Sequence, residues 1–491
     1  MTRSRAPGSV RGALGWLGGW ERRTRPHDPR LAEALRRRWR ELPVSARTPG
    51  QVLGRHGVGC EGTHGVFPKC NLACTPCYHS RDANQVRVDG PHTLARIEEQ
   101  MALLERRRGP HGHAQLIGGE VSLLSPDDHA EALAIMRRHG REPMSFTHGD
   151  VDYDYLQKLV IGPDGRRRVH RVSFAAHFDM FMFGRRGIAR PANEAELDPY
   201  RREFADKVRR LRREHGVRSF LAHNMTVSPA NLDQVAHVVR AASAAGYRML
   251  SFQPAAFLGD ERRWHEDFRA TTGDAVWAQI EQGAGTHVDY RVFEHGDVRC
   301  NRTAYGFFLG DTWRPLLDGD NPRDLRFRDD FFRYCGDLSF TGSSPVELTG
   351  KLLRLFIGHP QALTRTLGWA ARTVRRVGVR ALLRHRPRPV TLVMHQFMDA
   401  AEVAPAWKLM QRGVVSDDPA IRATQERLGA CHYAMAHPED DTLVPACVQH
   451  SVLDPVENAA LRTLLPIVSA RRGDRTPQRS AATTAPTPVT S

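Results

Sequence analysis

Residues 67–80 read FPKCNLACTPCYHS and hold three of the chain's eight cysteines, Cys70, Cys74 and Cys77, within eight positions. Cysteine is used sparingly elsewhere, so the cluster needs a chemical reason. The spacing Cys70-x3-Cys74-x2-Cys77 puts three thiolates on one short loop. Three thiolates can hold three irons of a [4Fe-4S] cluster, whose fourth ligand is ordinarily another Cys. With no fourth Cys at hand, one iron stays open, and an open coordination position is what chemistry requires. The alternative is a structural zinc completed by a distant Cys or His. Zinc motifs pair two short clusters, and no second CxxC occurs in the chain, so the spacing favours iron–sulfur.

Outward from the loop, strand-like and helix-like segments alternate from about residue 60 to 290. A helix with Leu94, Ile97, Met101 and Leu104 on one face follows the cysteines. The strand HAQLIGG (113–119) comes next, then SPDDHAEALAIMRRHG (125–140), with Ser125 as N-cap, Pro126 at the first helical position and Gly140 as stop. EPMSFTHGD (142–150), VHRVSFAAHFDMFMFG (169–184), VRSFLAHNMTVS (217–228) and YRMLSFQP (247–254) read as further strands. One intervening helix carries Leu197, Tyr200, Phe204, Val208 and Leu211 at helical spacing, and SPANLDQVAHVVRAASAAG (228–246) is a helix expected to begin at its Ser-Pro. Alternation of this kind implies βαβ units and a parallel sheet of near six strands, fewer than a complete eight-fold barrel. LIGGE (116–120) ends the first strand after the cysteine loop. Gly118 and Gly119 let a backbone approach a ligand closely, and Glu120 offers an acceptor to a cationic amine.

The cysteine spacing, the strand before it and the Gly118-Gly119-Glu120 strand end together resemble the radical S-adenosylmethionine (radical SAM) superfamily. The resemblance covers roughly residues 60–290. It implies a partial (β/α)6 barrel. It implies a [4Fe-4S] cluster on Cys70, Cys74 and Cys77 whose unique iron binds the amino and carboxylate groups of S-adenosylmethionine. It also implies reductive cleavage of that cofactor to methionine and a 5′-deoxyadenosyl radical, with an electron donor such as a flavodoxin or ferredoxin. The Gly-Gly-Glu strand end would bind the methionine amino group. The family often has an aromatic residue next to the third cysteine; here Pro76 precedes Cys77 and Tyr78 follows it, so Tyr78 is the candidate for packing near adenine.

Cys60, Cys300, Cys335, Cys431 and Cys447 remain. Free cysteines are common inert core residues. Two contexts argue for more: DVRCNRTAYGFF (297–308), and ACHYAMAHPEDDTLVPACVQHS (430–451), where Cys431 and Cys447 flank a hairpin. Cys300, Cys335, Cys431 and Cys447 are the candidate ligands of an auxiliary [4Fe-4S] cluster, with Cys60 as substitute for Cys335. These contexts resemble the C-terminal part of the tetraether-lipid-synthase-like branch of radical SAM proteins. HFDM (Asp179), NMTVSPANLDQV (Asn224, Asn231), FQPAAFLGD (Gln253, Pro254) and MHQFMDA…CHYA…VPAC match in order. The resemblance adds Asp179, Asn224 and Gln253 to the cofactor-binding candidates. EHGDVRC (294–300) lacks cysteines that the branch carries there, and there is no N-terminal rubredoxin-like pair. That branch joins lipid alkyl chains at unactivated carbons.

The expected organisation is an α/β protein with a basic N-terminal arm (1–55), a partial barrel (56–290), an irregular α+β C-terminal domain with the auxiliary cysteines (291–468) and a disordered tail (469–491). The N-terminal stretch is basic without an apolar core and reads as an arm rather than a secretory signal, so the protein is expected in the cytoplasm. RFRDDFFRYCGDLSFTGSSP (326–345) reads as irregular. Net charge is +16, which favours an anionic partner or reflects an Arg-rich surface. Residues 351–389 hold ten Lys or Arg and no acid, interrupted by Gly358, Pro360, Gly368 and Gly378. They read as more than one amphipathic helix peripheral to an anionic membrane, with Leu352, Leu355 and Phe356 entering the headgroups while arginines meet phosphates. The leading function is a radical SAM enzyme acting on an apolar C–H bond in a small-molecule, lipid or acyl substrate. The alternatives are a peptide-modifying radical enzyme with an auxiliary cluster, and a non-catalytic iron–sulfur or zinc protein binding nucleic acid. Nucleic acid is not expected, because Glu120 would do nothing for phosphate binding.

Overall fold

The computed structural model describes residues 19–21, 23–77, 81–258, 261–340 and 343–467; Tyr78 and the tail from 468 lie outside the described residues. Strands are β1 (Cys60–Gly62), β2 (Ala73–Cys74), β3 (Gly112–Leu116), β4 (Arg141–Thr147), β5 (Arg171–His177), β6 (Met182–Phe183), β7 (Arg218–Val227), β8 (Met249–Pro254), β9 (Asn301–Leu309), β10 (Thr312–Pro315), β11 (Arg388–His395), β12 (Tyr433–His437) and β13 (Thr442–Pro445). Eleven of them form one sheet in the order β10-β9-β11-β8-β7-β5-β4-β3-β1-β12-β13, and β2 pairs with β6.

The middle six, β8-β7-β5-β4-β3-β1, come from residues 60–254 and run parallel, each neighbour following the last through a helical crossover. This is the expected α/β partial barrel, and its parallel strands are covered by helices as such sheets require. Its core is continuous: Ile97, Met101 and Leu104 of the helix Gly90–Arg108, and Phe204, Val208 and Leu211 of the helix Asp198–His215, are all buried in it. A fully buried pair, Glu61 with Arg141, ties β1 to β4 through two N–H···O bonds of 3.0 and 3.2 Å. Such a bidentate pair holds its geometry well, and losing one partner strands a buried charge.

The C-terminal segment, expected as an irregular α+β unit, adds strands to both edges of the same sheet. β11 runs parallel to β8 and β12 parallel to β1, while β9, β10 and β13 are antiparallel additions. The expected hairpin is β12–β13, with Cys431 and Cys447 just outside it. The sheet curls far enough that the two edges touch: Arg427, before β12, donates to Cys300 beside β9, and the His295 and His432 rings meet edge-on at 5.1 Å.

Three local readings change. The stretch after residue 321 is not irregular but a helix, Pro322–Cys335. Asn321 caps it, Pro322 occupies its first turn, and Asp324, Arg328 and Phe332 bury one face at helical spacing. The helix expected to start at Ser228 begins at Val235 after a short 3-10 turn. Asn231 accounts for the delay: its Oδ1 accepts from Ser228 N and its Nδ2 donates to Glu194 Oε1 and Thr226 O, holding the loop open. The basic stretch forms three helices, Pro345–Gly358, Pro360–Val377 and Val379–Arg384, but its parts differ from expectation. Leu355 is buried in the protein, and Arg372 and Arg376 pair with the fully buried Asp324 at 2.7 and 3.1 Å. Between residues 351 and 389, Leu353, Ile357, Leu363, Leu367, Val374, Val379 and Leu383 are the large apolar residues that stand exposed. Among the described residues, no helix is long and apolar enough to cross a membrane.

Candidate functional site: one cavity lined by two sets of thiols

The cysteine loop is tied down at both ends. Gly119 N–H donates to Phe67 O (2.8 Å) and Glu120 N–H to Lys69 O (2.9 Å), so the end of β3 runs against the start of the loop. The glycines are needed for this approach: a Cβ on Gly118 would meet the Phe67 ring at 2.7 Å, and one on Gly119 would lie 2.1 Å from Lys69 O. What comes close to Gly118 and Gly119 is therefore the backbone of the cysteine loop itself. On the far side, β2 pairs with β6 in the register Ala73↔Phe183 and Cys74↔Met182, and Thr75 N–H donates to Phe181 O. Asn84 Oδ1 accepts from Cys70 N at 2.9 Å. These bonds bring the three thiols together. Cys74 is hydrogen-bonded to Cys77, which with burial pushes its thiol well above the ordinary range, and burial pushes Cys70 up to about 12.

A cavity of about 240 Å³ opens from this loop. Gly118, Gly119, Glu120, Asp179, Asn224 and Gln253 all line it, so the structure brings together every described cofactor-binding candidate. Their surroundings differ. Glu120 is 1% exposed and already engaged: Oε1 accepts from Ser122 N (3.0 Å), Ser122 Oγ (2.6 Å) and Thr147 Oγ1 (2.8 Å), and Oε2 accepts from His148 N (2.8 Å). It pins the ends of β3 and β4 as much as it faces the cavity. Asp179 accepts from His177 Nε2 (2.6 Å), Phe181 N (2.9 Å) and Thr226 N (3.1 Å). Burial alone would raise its carboxyl, but the His177 imidazole and these amides outweigh burial and hold it below the usual carboxylate range. Asn224 on β7 and Ser251 on β8 stand at paired register positions, and both are buried. Asn224 Nδ2 and Ser251 Oγ have no hydrogen-bond partner among the described residues. Two orphaned polar groups on one cavity wall fit a polar ligand that completes them, since leaving such groups unpaired costs about 1–3 kcal/mol each.

The same cavity is lined by Cys60, Cys300, Cys431 and Cys447. These thiols arrive from four different elements: Cys60 opens β1, Cys300 precedes β9, Cys431 precedes β12 and Cys447 follows β13. Arg427 Nε donates to Cys300 Sγ (3.2 Å), Cys431 Sγ donates to Tyr433 O (3.0 Å), and Met398 N donates to Cys447 Sγ (3.5 Å). Burial pushes the Cys300 thiol up to about 11, and burial together with Cys431 and Cys300 pushes Cys447 well above the ordinary range. Cys335 is elsewhere: it ends the helix Pro322–Cys335, where its carbonyl meets His56 Nδ1 at 3.1 Å, and it does not line the cavity. Cys60 contacts His432 Nε2 at 3.1 Å. Three soft thiols on the loop and four on the other wall suit iron–sulfur chemistry better than a hard cation.

Sequence reasoning missed a group of neutral histidines on the wall. His295, His395 and His432 all line the cavity. Burial drives His295 down to about 3, His395 to about 4 and His432 well below the ordinary value. The signal was present in EHGDVRC, MHQFMDA and CHYA, each of which places a histidine close to a cysteine or at the end of a strand. Arg427, the one cationic side chain on the cavity wall among the described residues, had no local signal at all.

No family model matches the sequence, and no curated protein does. Among solved structures the chain is similar to Streptococcus suis SuiB bound to S-adenosylmethionine, with 10% identity over 40% of this chain and 41% of that one and a TM-score of 0.27. It is also similar to native anSMEcpe with bound AdoMet, with 13% identity over 45% of this chain and 57% of that one and a TM-score of 0.28. The chain thus spans about two fifths of the first and somewhat over half of the second. TM-scores this low carry no inference about activity.

Proposed function

We propose that this protein is a radical SAM enzyme, in which Cys70, Cys74 and Cys77 hold a [4Fe-4S] cluster and the cavity beside them takes S-adenosylmethionine. The observation that carries the reading is the convergence of these three thiols with the Gly118–Glu120 strand end and the orphaned Asn224 and Ser251 groups on one cavity. Once bound, the cluster supplies the electron that cleaves the cofactor's sulfonium bond. The chain's own part is positional. The glycines hold the loop against β3, Asn224 Nδ2 and Ser251 Oγ offer donors to the cofactor's polar groups, and the enclosing sheet keeps water from a reactive carbon radical. Anaerobically reconstituted protein given a reductant and S-adenosylmethionine should release 5′-deoxyadenosine and methionine. No release from fully iron-loaded protein refutes the proposal.

Cys300, Cys431 and Cys447 are the proposed ligands of an auxiliary [4Fe-4S] cluster, with Cys60 the nearer candidate for a fourth place. Arg427 beside Cys300 would offset the negative charge of such a thiolate cluster. For the substrate, the reading is a lipid or acyl chain. Leu72, Phe146, Met182, Met249, Phe397 and Met398 give the cavity an apolar wall. Exposed Leu353, Ile357, Leu367 and Leu383, beside the exposed Arg375, Arg380 and Arg384, suit an anionic membrane surface where such a chain would be met. A flavodoxin or ferredoxin is the proposed electron donor. Sedimentation with anionic vesicles that falls with salt, and is lost in Leu367→Glu with Leu383→Glu, supports the membrane contact. Binding that ignores both changes removes it and leaves the cluster chemistry untouched.

A further inference from the structure

His64, His437 and Glu457 form a second polar centre outside the thiol cavity. It lies where the segment after β1 meets the end of β12 and the helix Asp454–Leu464. One ligating atom from each residue lies within 4.8 Å of the others, and both imidazoles are buried. The surrounding hydrogen bonds fix which ring nitrogen faces inward. His64 Nε2 meets Ala436 O at 2.8 Å; a carbonyl can only accept, so Nε2 carries a proton. His437 Nε2 meets Gln449 Oε1 at 2.6 Å. Gln449 turns its amide nitrogen to Asp454 Oδ1 (2.9 Å) and Glu457 Oε2 (3.1 Å), which leaves Oε1 to accept, so His437 also carries its proton on Nε2.

Both rings therefore turn Nδ1 toward Glu457. His64 Nδ1 donates to Glu457 Oε2 at 2.8 Å, a proton that a bound cation would displace, and His437 Nδ1 lies 3.9 Å from Oε1. Glu439 Oε1 stands 3.7 Å from the same His437 nitrogen. The His437 lone pair thus faces two carboxylates at distances too long for a hydrogen bond, an arrangement that a cation would resolve. The outward Nε2–H bonds to a carbonyl and an amide oxygen are the second-layer contacts that orient metal-ligating histidines.

We propose that His64 Nδ1, His437 Nδ1 and the Glu457 carboxylate bind a divalent transition-metal cation of the zinc class, with Glu439 in reach as a fourth ligand. The two rings stack 4.2 Å apart with both Nδ1 atoms on the Glu457 side. The ion would be structural. It would staple the C-terminal helix to the strand end that leads, six residues on, into the cysteine loop. The site is independent of the cysteine chemistry, because it uses none of the thiols.

The test is zinc content and zinc-dependent stability of the full chain with its iron in place. Wild-type protein exposed to zinc and desalted should retain about one zinc that His437→Gln and Glu457→Gln both lack, at unchanged iron. Zinc should raise the unfolding midpoint of the wild type and leave both variants unmoved. Equal zinc in wild type and variants overturns the site, as does a wild-type midpoint that ignores zinc. If the variants do not fold, zinc-edge X-ray absorption of the wild type decides: ligation by nitrogen and oxygen alone supports the site, and sulfur ligation overturns it.

Discussion

Two sets of thiols face one cavity, and they are built in opposite ways. Cys70, Cys74 and Cys77 sit within eight residues on a loop held by backbone hydrogen bonds to β3 and by the β2–β6 pairing. Cys300, Cys431 and Cys447 come from chain positions more than a hundred residues apart at the extremes, and only the meeting of the two sheet edges gathers them. A local set depends on the loop; a gathered set depends on the curl of the whole sheet. The first should survive changes at the sheet edges, and the second should not depend on the loop.

The largest expected effect separates the sets outright. With Cys70, Cys74 and Cys77 all changed to Ala, iron should remain at about four per chain, held by the second set. Adding Cys447→Ala should remove it. Iron-free triple variant would mean the gathered thiols are inert, and the contrast between two metal centres would collapse to one.

A smaller effect tests how the local set is held. Gly119→Ala places a methyl group 2.1 Å from Lys69 O, so the loop or the end of β3 must move. Overpacking of this kind costs about 1–3 kcal/mol, and it should lower iron at the first set more than at the second. Glu120→Gln sharpens the same point. An amide nitrogen would face donors from Ser122, Thr147 or His148 that now bond to carboxylate oxygens, for a loss of about 1–3 kcal/mol in unfolding free energy. S-adenosylmethionine affinity should fall as well, with the second set's iron unchanged. A Glu120→Gln protein of wild-type stability and affinity would free Glu120 from both roles.

The smallest effect is the control. Cys335→Ala should leave iron content unaltered and stability within about 1 kcal/mol, because Cys335 touches neither set. Lost iron in that variant would place it back among the ligands.

The same contrast explains what could be read from the chain. The cysteine loop, the six parallel strands and the β12–β13 hairpin carry their signals in spacing, alternation and turn residues, all of them local. The helix Pro322–Cys335 was legible in principle from Asn321-Pro322 and the Asp324, Arg328, Phe332 spacing, but its buried face is two-thirds charged and does not look apolar. The separation of Cys335 from the other cysteines was not legible, since nothing in a sequence says which of several distant thiols a curled sheet will gather. Arg372 and Arg376 looked like free surface charge because their partner, Asp324, lies far back in the chain. The neutral histidines of the cavity wall owe their state to burial, which composition cannot show.

The most direct test of the account is cofactor cleavage by two single variants side by side, each anaerobically reconstituted and given reductant and S-adenosylmethionine. Cys447→Ala should still release 5′-deoxyadenosine, because the local set remains whole, while Cys74→Ala should release none. Release from Cys74→Ala at the wild-type rate would contradict the central assignment.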